Sequence, residues 1–338
     1  MTISFTNAAE QMDTLKDDCK DLVGYSHASY EIINVLSRHG FDIRIADEFA
    51  KIGISMGYPT DYSFSDYQYK IGYTAWESTK LKENWEENML ACDELWATSS
   101  WTAEVFKEEL GIEDIHVYPH GISKDWRPVR HELSKPFRFL HVGEPQLRKN
   151  GQLVVDAFCQ LFGNDENYQL ILKCTSINTT RVFHEDGTIA GSPDSKYKNI
   201  RVITTPIPHD QMIKLYSRSN ALIYPTAGEG YGFIPLQALA TGLPVASTYQ
   251  WAEYKDYITI PLNSNLGPSE YPLLHPGENY HVSIDEIKRS MIEIVDNYAF
   301  YEKKTYQNAF KIHLDHNWDK VSESTINRLK NIFKTRGL

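Results

Sequence analysis

A chain of 338 residues with 41% hydrophobic and 23% charged side chains has the makeup of a soluble globular protein, and at this length two domains are the better expectation than one. Its net charge of −11 argues against nonspecific attraction of nucleic acid to the whole surface, while leaving room for a local basic groove. No apolar run reaches bilayer-spanning length, the opening MTISFTNAAEQMD has neither part of a secretion signal, and Cys19, Cys92, Cys159 and Cys174 form no paired metal motif, so reduced thiols in a cytoplasmic protein are expected.

Residues 1–20 carry little signal beyond a short edge strand near Ile3 to Phe5. Gly24-Tyr25-Ser26-His27 then precedes a helix, Ala28 to Ser37, with Ile32, Ile33 and Leu36 as its apolar positions; Gly40 stops it and a strand from Phe41 to Ile45 follows. Helix, glycine and strand in succession are the unit of an α/β fold. Ser26 is a candidate N-cap. Residues 53–69 are rich in Tyr, Ser, Asp and Gly without periodicity and read as a long irregular segment of the kind that carries binding loops. A strand from Lys70 to Ala75 ends in Trp76-Glu77-Ser78-Thr79, which makes Trp76 and Glu77 cleft candidates. Next come a helix from Trp85 to Ala91, a strand from Glu94 to Thr98, a helix from Thr102 to Glu109 capped near Ser100 and closed by Gly111, and a strand from Ile115 to Tyr118. Pro119-His120-Gly121-Ile122 follows, where His120 either lines the cleft or is an ordinary turn residue.

The stretch 128–136 lacks an apolar period and reads as a linker between a domain over 1–127 and a second over 137–312, with 313–338 as a closing helix. The strand Phe137 to Val142 runs into Gly143-Glu144-Pro145-Gln146-Leu147-Arg148-Lys149-Asn150 and then a helix from Gly151 to Phe162. Strand, basic loop and helix place Arg148 and Lys149 where they can neutralise a diphosphate; a solvated basic loop is the plainer alternative. Further strands span Tyr168 to Cys174 and Ile200 to Thr204, separated by a hydroxyl- and charge-rich insertion, 175–195, that could cover a ligand. A helix from His209 to Ser217 leads on to ALIYPTAGEGYGFIPLQALATGLPVASTYQ, Ala221 to Gln250.

That stretch reads as strand, glycine-interrupted acidic loop, buried helix and strand. Pro225 ends the first strand, the loop carries Gly228, Glu229, Gly230 and Gly232, and the helix from Phe233 to Ala240 is broken by Gly242 and Pro244. Glycines there let backbone amides approach a ligand closely, and ligands of open α/β sheets bind beyond the strands' carboxyl ends. Beyond it, 263–280 reads as loop, with helices over 282–297, 301–314 and 318–333.

The stretch resembles the donor-binding signature of the large family of retaining GT-B glycosyltransferases, P-S-x-x-E-G-x-G-x-x-x-x-E-A-x-A-x-G-x-P-V. The resemblance implies an α/β protein with the GT-B fold, two doubly wound Rossmann-like domains facing across a cleft. It implies a nucleoside diphosphate sugar as donor substrate, with no cofactor and no metal. Glu229 matches the first glutamate and would contact the donor sugar; Gln237 stands where the second glutamate binds the ribose and keeps hydrogen bonding without charge. Lys149 matches a family lysine, whereas Glu144 replaces the usual arginine, so that one phosphate-binding cation is either missing or supplied by Arg148 instead. Gly143 and the amides of Gly230, Tyr231, Gly232 and Phe233 would meet the donor, and the backbone at Thr205 its base. Gly24, Tyr25, Trp76, Glu77 and His120 fall on the acceptor side, Gln250 to Tyr254 at a donor-proximal turn, and the last helices, from Trp318, would cross back to the first domain. The acceptor is either a glycan or lipid-linked sugar, or a hydroxylated base in phage DNA; basic residues on the rim would favour DNA and an apolar rim lipid. The oligomeric state is unspecified, and the departures at Glu144 and Gln237 leave a second reading, an inactive sugar- or nucleotide-binding scaffold.

Overall fold

The computed structural model describes residues 1–6, 24–174 and 196–338; the insertion at 175–195 lies outside the described residues, as does Cys19. Most strands are short, apolar and buried on both faces, the pattern of parallel sheets covered by helices. The first sheet has the order β2 (Asp42–Ile45), β1 (Thr2–Phe5), β3 (Ile52–Met56), β4 (Tyr69–Thr74), β5 (Glu94–Ala97) and β6 (Ile115–Val117), all parallel. Helices α1 (Tyr25–Arg38), α2 (Trp85–Leu90) and α3 (Ser100–Leu110) serve its connections.

The second sheet has the order β12 (Ile260–Pro261), β11 (Val245–Ser247), β10 (Ala221–Tyr224), β7 (Phe137–Val142), β8 (Tyr168–Lys173) and β9 (Ile200–Ile203), again all parallel. Its connecting helices are α4 (Gly151–Phe162), α5 (His209–Ser217) and α6 (Phe233–Thr241). From β7 the chain winds outward to β9, then returns to β10 on the other side of β7. The strand order therefore reverses between β7 and β10, the place where open α/β sheets bind ligands. The two sheets face each other across a cleft, in agreement with the doubly wound expectation.

Several elements differ from the sequence reading. The strand at Thr2–Phe5 is an interior strand between β2 and β3, with Ile3 and Phe5 fully buried. The segment from Gly53 begins inside a strand, β3, because glycines let neighbouring rings lie on the sheet: a Cβ at Gly53 would stand 2.3 Å from Tyr67 Cδ2, and one at Gly72 2.5 Å from Tyr62 Cε2. Helix α1 starts at Tyr25, capped by Gly24 at φ 56° with Ser26 inside it. The N-cap of α3 is Ser99, whose Oγ accepts from the Thr102 amide at 3.1 Å. Residues 263–280, read as loop, include the antiparallel pair β13 (Asn265–Pro268) and β14 (Glu278–His281).

Helices α7 (Ile284–Asp296) and α8 (Tyr298–Asp315) lead to α9 (Trp318–Arg336). Although last in sequence, α9 contributes Trp318, Ile326, Leu329, Ile332 and Phe333 to the core that holds Ile3, Phe5, Ile32 and Leu36 of the first sheet and α1. Its entry point is tied down where the Ile122 amide donates to His316 O at 2.7 Å. Gly121 makes that crossing feasible, since a Cβ there would sit 2.6 Å from both Cα and N of Trp318. No described helix is long and apolar enough to cross a membrane.

Gly121→Ala pushes backbone against backbone, which no side-chain rotation relieves, and is expected to destabilise the fold by about 1–3 kcal/mol. Urea denaturation measures it, and an unchanged midpoint would show that α9 does not need this close approach.

Candidate active site

The reversal of strand order puts two loops side by side, 143–150 after β7 and 225–232 after β10. They are stitched together by backbone and side-chain hydrogen bonds: the Ala227 amide donates to Arg148 O at 2.7 Å, and Asn150 Nδ2 donates to Pro225 O at 2.7 Å. Asn150 takes a left-handed conformation at φ 56° to start α4 there. Facing them, Ala75 and Glu77 follow the end of β4. The space between is a cavity of about 650 Å³.

Glu229 is the hub. Its Oε1 accepts from Lys149 Nζ, from Tyr224 Oη at 2.8 Å and from Thr226 Oγ1 at 2.9 Å, and it lies 3.5 Å from Arg148 Nη1. Arg148 also donates to Gly228 O, and its Nη2 is 3.7 Å from Glu77 Oε1. Burial by itself would raise the Glu229 carboxyl, but Lys149 and Arg148 outweigh it and hold the group below its ordinary range. Glu77 goes the other way: burial raises it, Arg148 offsets this only in part, and Glu229 adds to the rise. Burial lowers Lys149 despite Glu229, whereas Arg148 stays above its ordinary value because Glu77 and Glu229 overcome burial.

A second group of side chains is aromatic and uncharged. His120 stacks on Phe233 with ring centroids 4.8 Å apart at 14°, and packs against Tyr231 at 4.9 Å and Trp318 at 5.9 Å. Tyr231 Oη in turn donates to His120 O. Both ring nitrogens of His120 are buried without a hydrogen-bond partner. Burial pushes His120 down to about 3 and His27, beside Phe233, to about 4, so both rings are neutral near pH 7.

Gly24, Tyr25, Glu77 and His120 line the cavity from the first sheet's side; Gly143, Arg148, Lys149, Glu229, Gly230, Tyr231, Gly232, Phe233 and Gln237 line it from the second. Two candidates are elsewhere. Trp76 is 1% exposed, buried against Trp85 and His275, with Nε1 donating to Lys80 O at 2.8 Å; it shapes the loop that carries Glu77. Thr205 is exposed beyond the end of the edge strand β9, away from the reversal, and the lining there comes from Lys173, Cys174, Met212 and Tyr216 instead. Residues 250–254 do not line the cavity either: Trp251 and Tyr254 are buried in the core, and Glu253 Oε1 accepts from the Ser100 amide at 2.6 Å.

The loop glycines have a role besides admitting a ligand. A Cβ on Gly228 would stand 2.2 Å from Glu77 O and one on Gly230 2.4 Å from Ala75 Cβ, so both let the two halves close on each other. The sequence reading missed Tyr224, the strand-end phenol that holds Glu229, for which the only signal was an aromatic residue just before Pro225. It also missed His275, which stands 3.7 Å from Glu77 Oε2 and had no local signal at all. Gln237 Oε1 accepts from Tyr216 Oη at 3.5 Å. Among the described residues, no group of three or more His, Cys, Asp and Glu is placed to hold a metal ion.

No family model matches the chain. A curated relative named "Putative glycosyltransferase 45", from the Sulfolobus islandicus filamentous virus (isolate Iceland/Hveragerdi), is 22% identical over 249 residues, 68% of this chain and 66% of the relative, just under two thirds of its length. Among solved structures, sucrose-phosphate synthase from Thermosynechococcus elongatus superposes with a TM-score of 0.68 at 11% identity, covering 99% of this chain and 100% of that one. HepE from Anabaena in complex with UDP-glucose gives 0.66 at 9% identity over 98% and 100%. WaaG, a glycosyltransferase involved in lipopolysaccharide biosynthesis, gives 0.63 at 11% identity over 97% and 99%. At these identities the likeness establishes the fold, which is GT-B.

Two outcomes follow from the site's electrostatics. Lys149→Met leaves Glu229 buried without its closest cation and is expected to cost about 3–5 kcal/mol of stability, part of it regained in the double variant with Glu229→Gln; a denaturation cycle measures this, and a coupling of zero would dissolve the pair. His120 protonates more readily unfolded than folded. Its contribution is thus complete above its ordinary value of 6.5 and is lost as pH falls from there toward about 3, with a slope of up to about 1.4 kcal/mol per pH unit. His120→Phe should flatten stability against pH over that window, and an unchanged slope would refute the assignment.

Proposed function

We propose that the chain is a retaining glycosyltransferase that moves a sugar from a nucleoside diphosphate sugar to a hydroxyl acceptor. The observation that supports this most is the placement of two largely buried cations, Arg148 and Lys149, beside Glu229 at the strand-order reversal of a GT-B fold. Breaking the bond between the sugar and the diphosphate leaves its electron pair on the phosphate oxygen, and fixed positive charge in a water-poor site stabilises that oxygen as it becomes anionic. Glu229, kept ionised, orients Lys149 and presents its carboxylate to the sugar hydroxyls. Gln237 hydrogen-bonds the ribose, with its Oε1 steadied by Tyr216. The acceptor oxygen attacks from the face the diphosphate leaves, and its proton passes to the adjacent departing oxygen. In this reading no side chain is a covalent nucleophile.

The acceptor we propose is an uncharged, hydroxyl-bearing glycan. Around the mouth of the cavity the lining includes Glu31, Asp125 and Glu144, with Tyr30 and Tyr58 exposed at 39% and 44%. Among the described residues the lining cations, Arg148, Lys149 and Lys173, are largely buried. Duplex DNA, with a phosphate charge for about every 1.7 Å of its axis, would meet carboxylates here. Exposed tyrosine faces instead suit the apolar faces of sugar rings.

Incubating the protein with a panel of nucleotide sugars and candidate acceptors, with mass-spectrometric detection of the product, tests this reading. Transfer is expected to survive excess chelator, since Arg148 and Lys149 supply the neutralising charge; loss that magnesium restores would contradict it. Arg148→Gln is expected to lower kcat by about 10²–10³-fold. Neutral glycans should be modified with little dependence on salt, whereas salt-sensitive transfer to hydroxymethylated duplex DNA would overturn the acceptor assignment. Binding of nucleotide sugars without any turnover would favour the scaffold reading.

A further inference from the structure

Glu77, Glu229, Arg148 and Lys149 form one buried cluster with side chains 16%, 11%, 11% and 12% exposed. With both carboxylates ionised, its charges cancel before any ligand arrives. The two carboxylates are nevertheless unlike. Glu229 Oε1 accepts three hydrogen bonds, from Lys149, Tyr224 and Thr226. Glu77 has only a distant ion pair, 3.7 Å from Arg148, and its Oε2 is buried with no hydrogen-bond partner. His275 Nδ1 stands 3.7 Å from that oxygen, also buried and unpartnered, and Arg148 Nε is in the same condition. Three unsatisfied polar atoms around a balanced set of charges mark a cluster that is incomplete without a ligand.

We infer that Glu77 and His275 act as a proton-accepting pair, so that the donor diphosphate binds together with one proton. The inference rests on the donor-site reading above. A nucleotide sugar brings a doubly anionic diphosphate to Arg148 and Lys149 and leaves the cluster with a surplus of negative charge in a poorly solvated space. One carboxylate then gains a proton from solvent. Glu229 is held ionised by its three donors, whereas Glu77 loses its share of Arg148 to the phosphate and has nothing in its place. The proton bonds to Glu77 Oε2, and a small rotation lets that O–H donate to His275 Nδ1, whose ring is neutral. Glu77 thereby becomes uncharged, and Arg148 is released fully to the diphosphate.

The surroundings agree with this from every side. Tyr25 on α1 and Tyr58 after β3 both face Glu77 as neutral phenols, raised chiefly by burial. Arg148 and Lys149 reach it from the loop after β7, Glu229 from the loop after β10, and His275 from the connection between β13 and β14. Lys82, ahead of α2, adds to the positive charge felt by His275. Burial raises Glu77, and burial followed by Arg148 and Lys149 lowers His275 to about 4, so the carboxylate is ready to gain a proton and the imidazole to accept its hydrogen bond. The loop carrying Glu77 is anchored to β14 through Asn279 Nδ2, which donates to Glu77 O at 2.7 Å and so ties it to the connection that carries His275.

Isothermal titration calorimetry with UDP-glucose, ADP-glucose, GDP-mannose and dTDP-glucose decides the matter, because the phosphates of these probes carry no titrating proton near neutrality. Titrations at about pH 6.5 and about pH 7.5 in buffers of different ionisation enthalpy read the protons taken up as the slope of apparent enthalpy against buffer enthalpy. A positive slope approaching one proton is expected for the nucleotide sugar that binds, together with an affinity that weakens as pH rises, by up to about tenfold per unit. Glu77→Gln should bind the same probe with no slope, and His275→Gln with a reduced one. Binding by the wild type with zero slope at both pH values would overturn the inference and leave the donor site standing. A slope that persists in Glu77→Gln would place the proton elsewhere and overturn it equally. Failure of all four probes to bind would remove the donor reading and this inference together. Should Glu77→Gln not fold, His275→Gln takes its place, and an unreduced slope in that variant would overturn the inference.

Discussion

The pairing of Lys149 with Glu229 is the interaction on which the rest of the cleft depends. Taking an ammonium and a carboxylate out of water costs several kcal/mol each by general estimates, and is recovered only when the remaining hydrogen-bonding capacity is filled. Tyr224 and Thr226 fill it on Glu229 Oε1, while Arg148 supplies a second positive charge at 3.5 Å. The pair also joins the loop after β7 to the loop after β10, which follow adjacent strands but are 80 residues apart in sequence. Charge and topology therefore meet at one point, and an anion entering the cleft encounters cations already held in position.

Closure of the cleft uses a different kind of constraint. Gly228 and Gly230 admit Glu77 O and Ala75 at distances no side chain tolerates, and Gly121 does the same for the backbone of Trp318. These contacts, with the hydrogen bonds that Asn279 Nδ2 donates to Glu77 O and the Glu278 amide donates to Thr79 Oγ1 across the interface, set how deeply the two sheets approach. The aromatic group around His120 then fills the space between α1, α6 and α9 with rings that are neutral near pH 7. The buried ion cluster of Glu77, Arg148, Lys149 and Glu229 thus has an uncharged aromatic surface beside it.

The alternation of apolar strands and amphipathic helices made the α/β architecture legible, since parallel strands buried on both faces leave a continuous apolar trace. Arg148, Lys149 and Glu229, which the fold brings into one cluster, could be singled out for a related reason: each lies in a polar, glycine- or asparagine-punctuated loop directly after such a strand. Trp76 and the backbone at Thr205 stand apart from the cavity lining, because adjacency to a strand end says neither which way a side chain turns nor where in the sheet the strand lies. Trp76 turns into the core, and Thr205 follows an edge strand distant from the reversal. β3 was hidden among tyrosines and glycines because its partners are rings that lie across Gly53 and Gly72, a match made between segments and invisible within either one.

What the sequence by itself determined is most of the succession of elements, β3, β13 and β14 excepted, and the chemistry each loop could offer, because hydrophobic period, turn residues and charge act over a few neighbouring positions. What only the tertiary structure decided is which of those offers meet. His275, from a stretch without periodicity, stands 3.7 Å from Glu77 across 198 residues of chain, and the last helix packs into the first core. Such meetings depend on strand order and on close backbone approach, which are properties of the assembled fold and of no single segment.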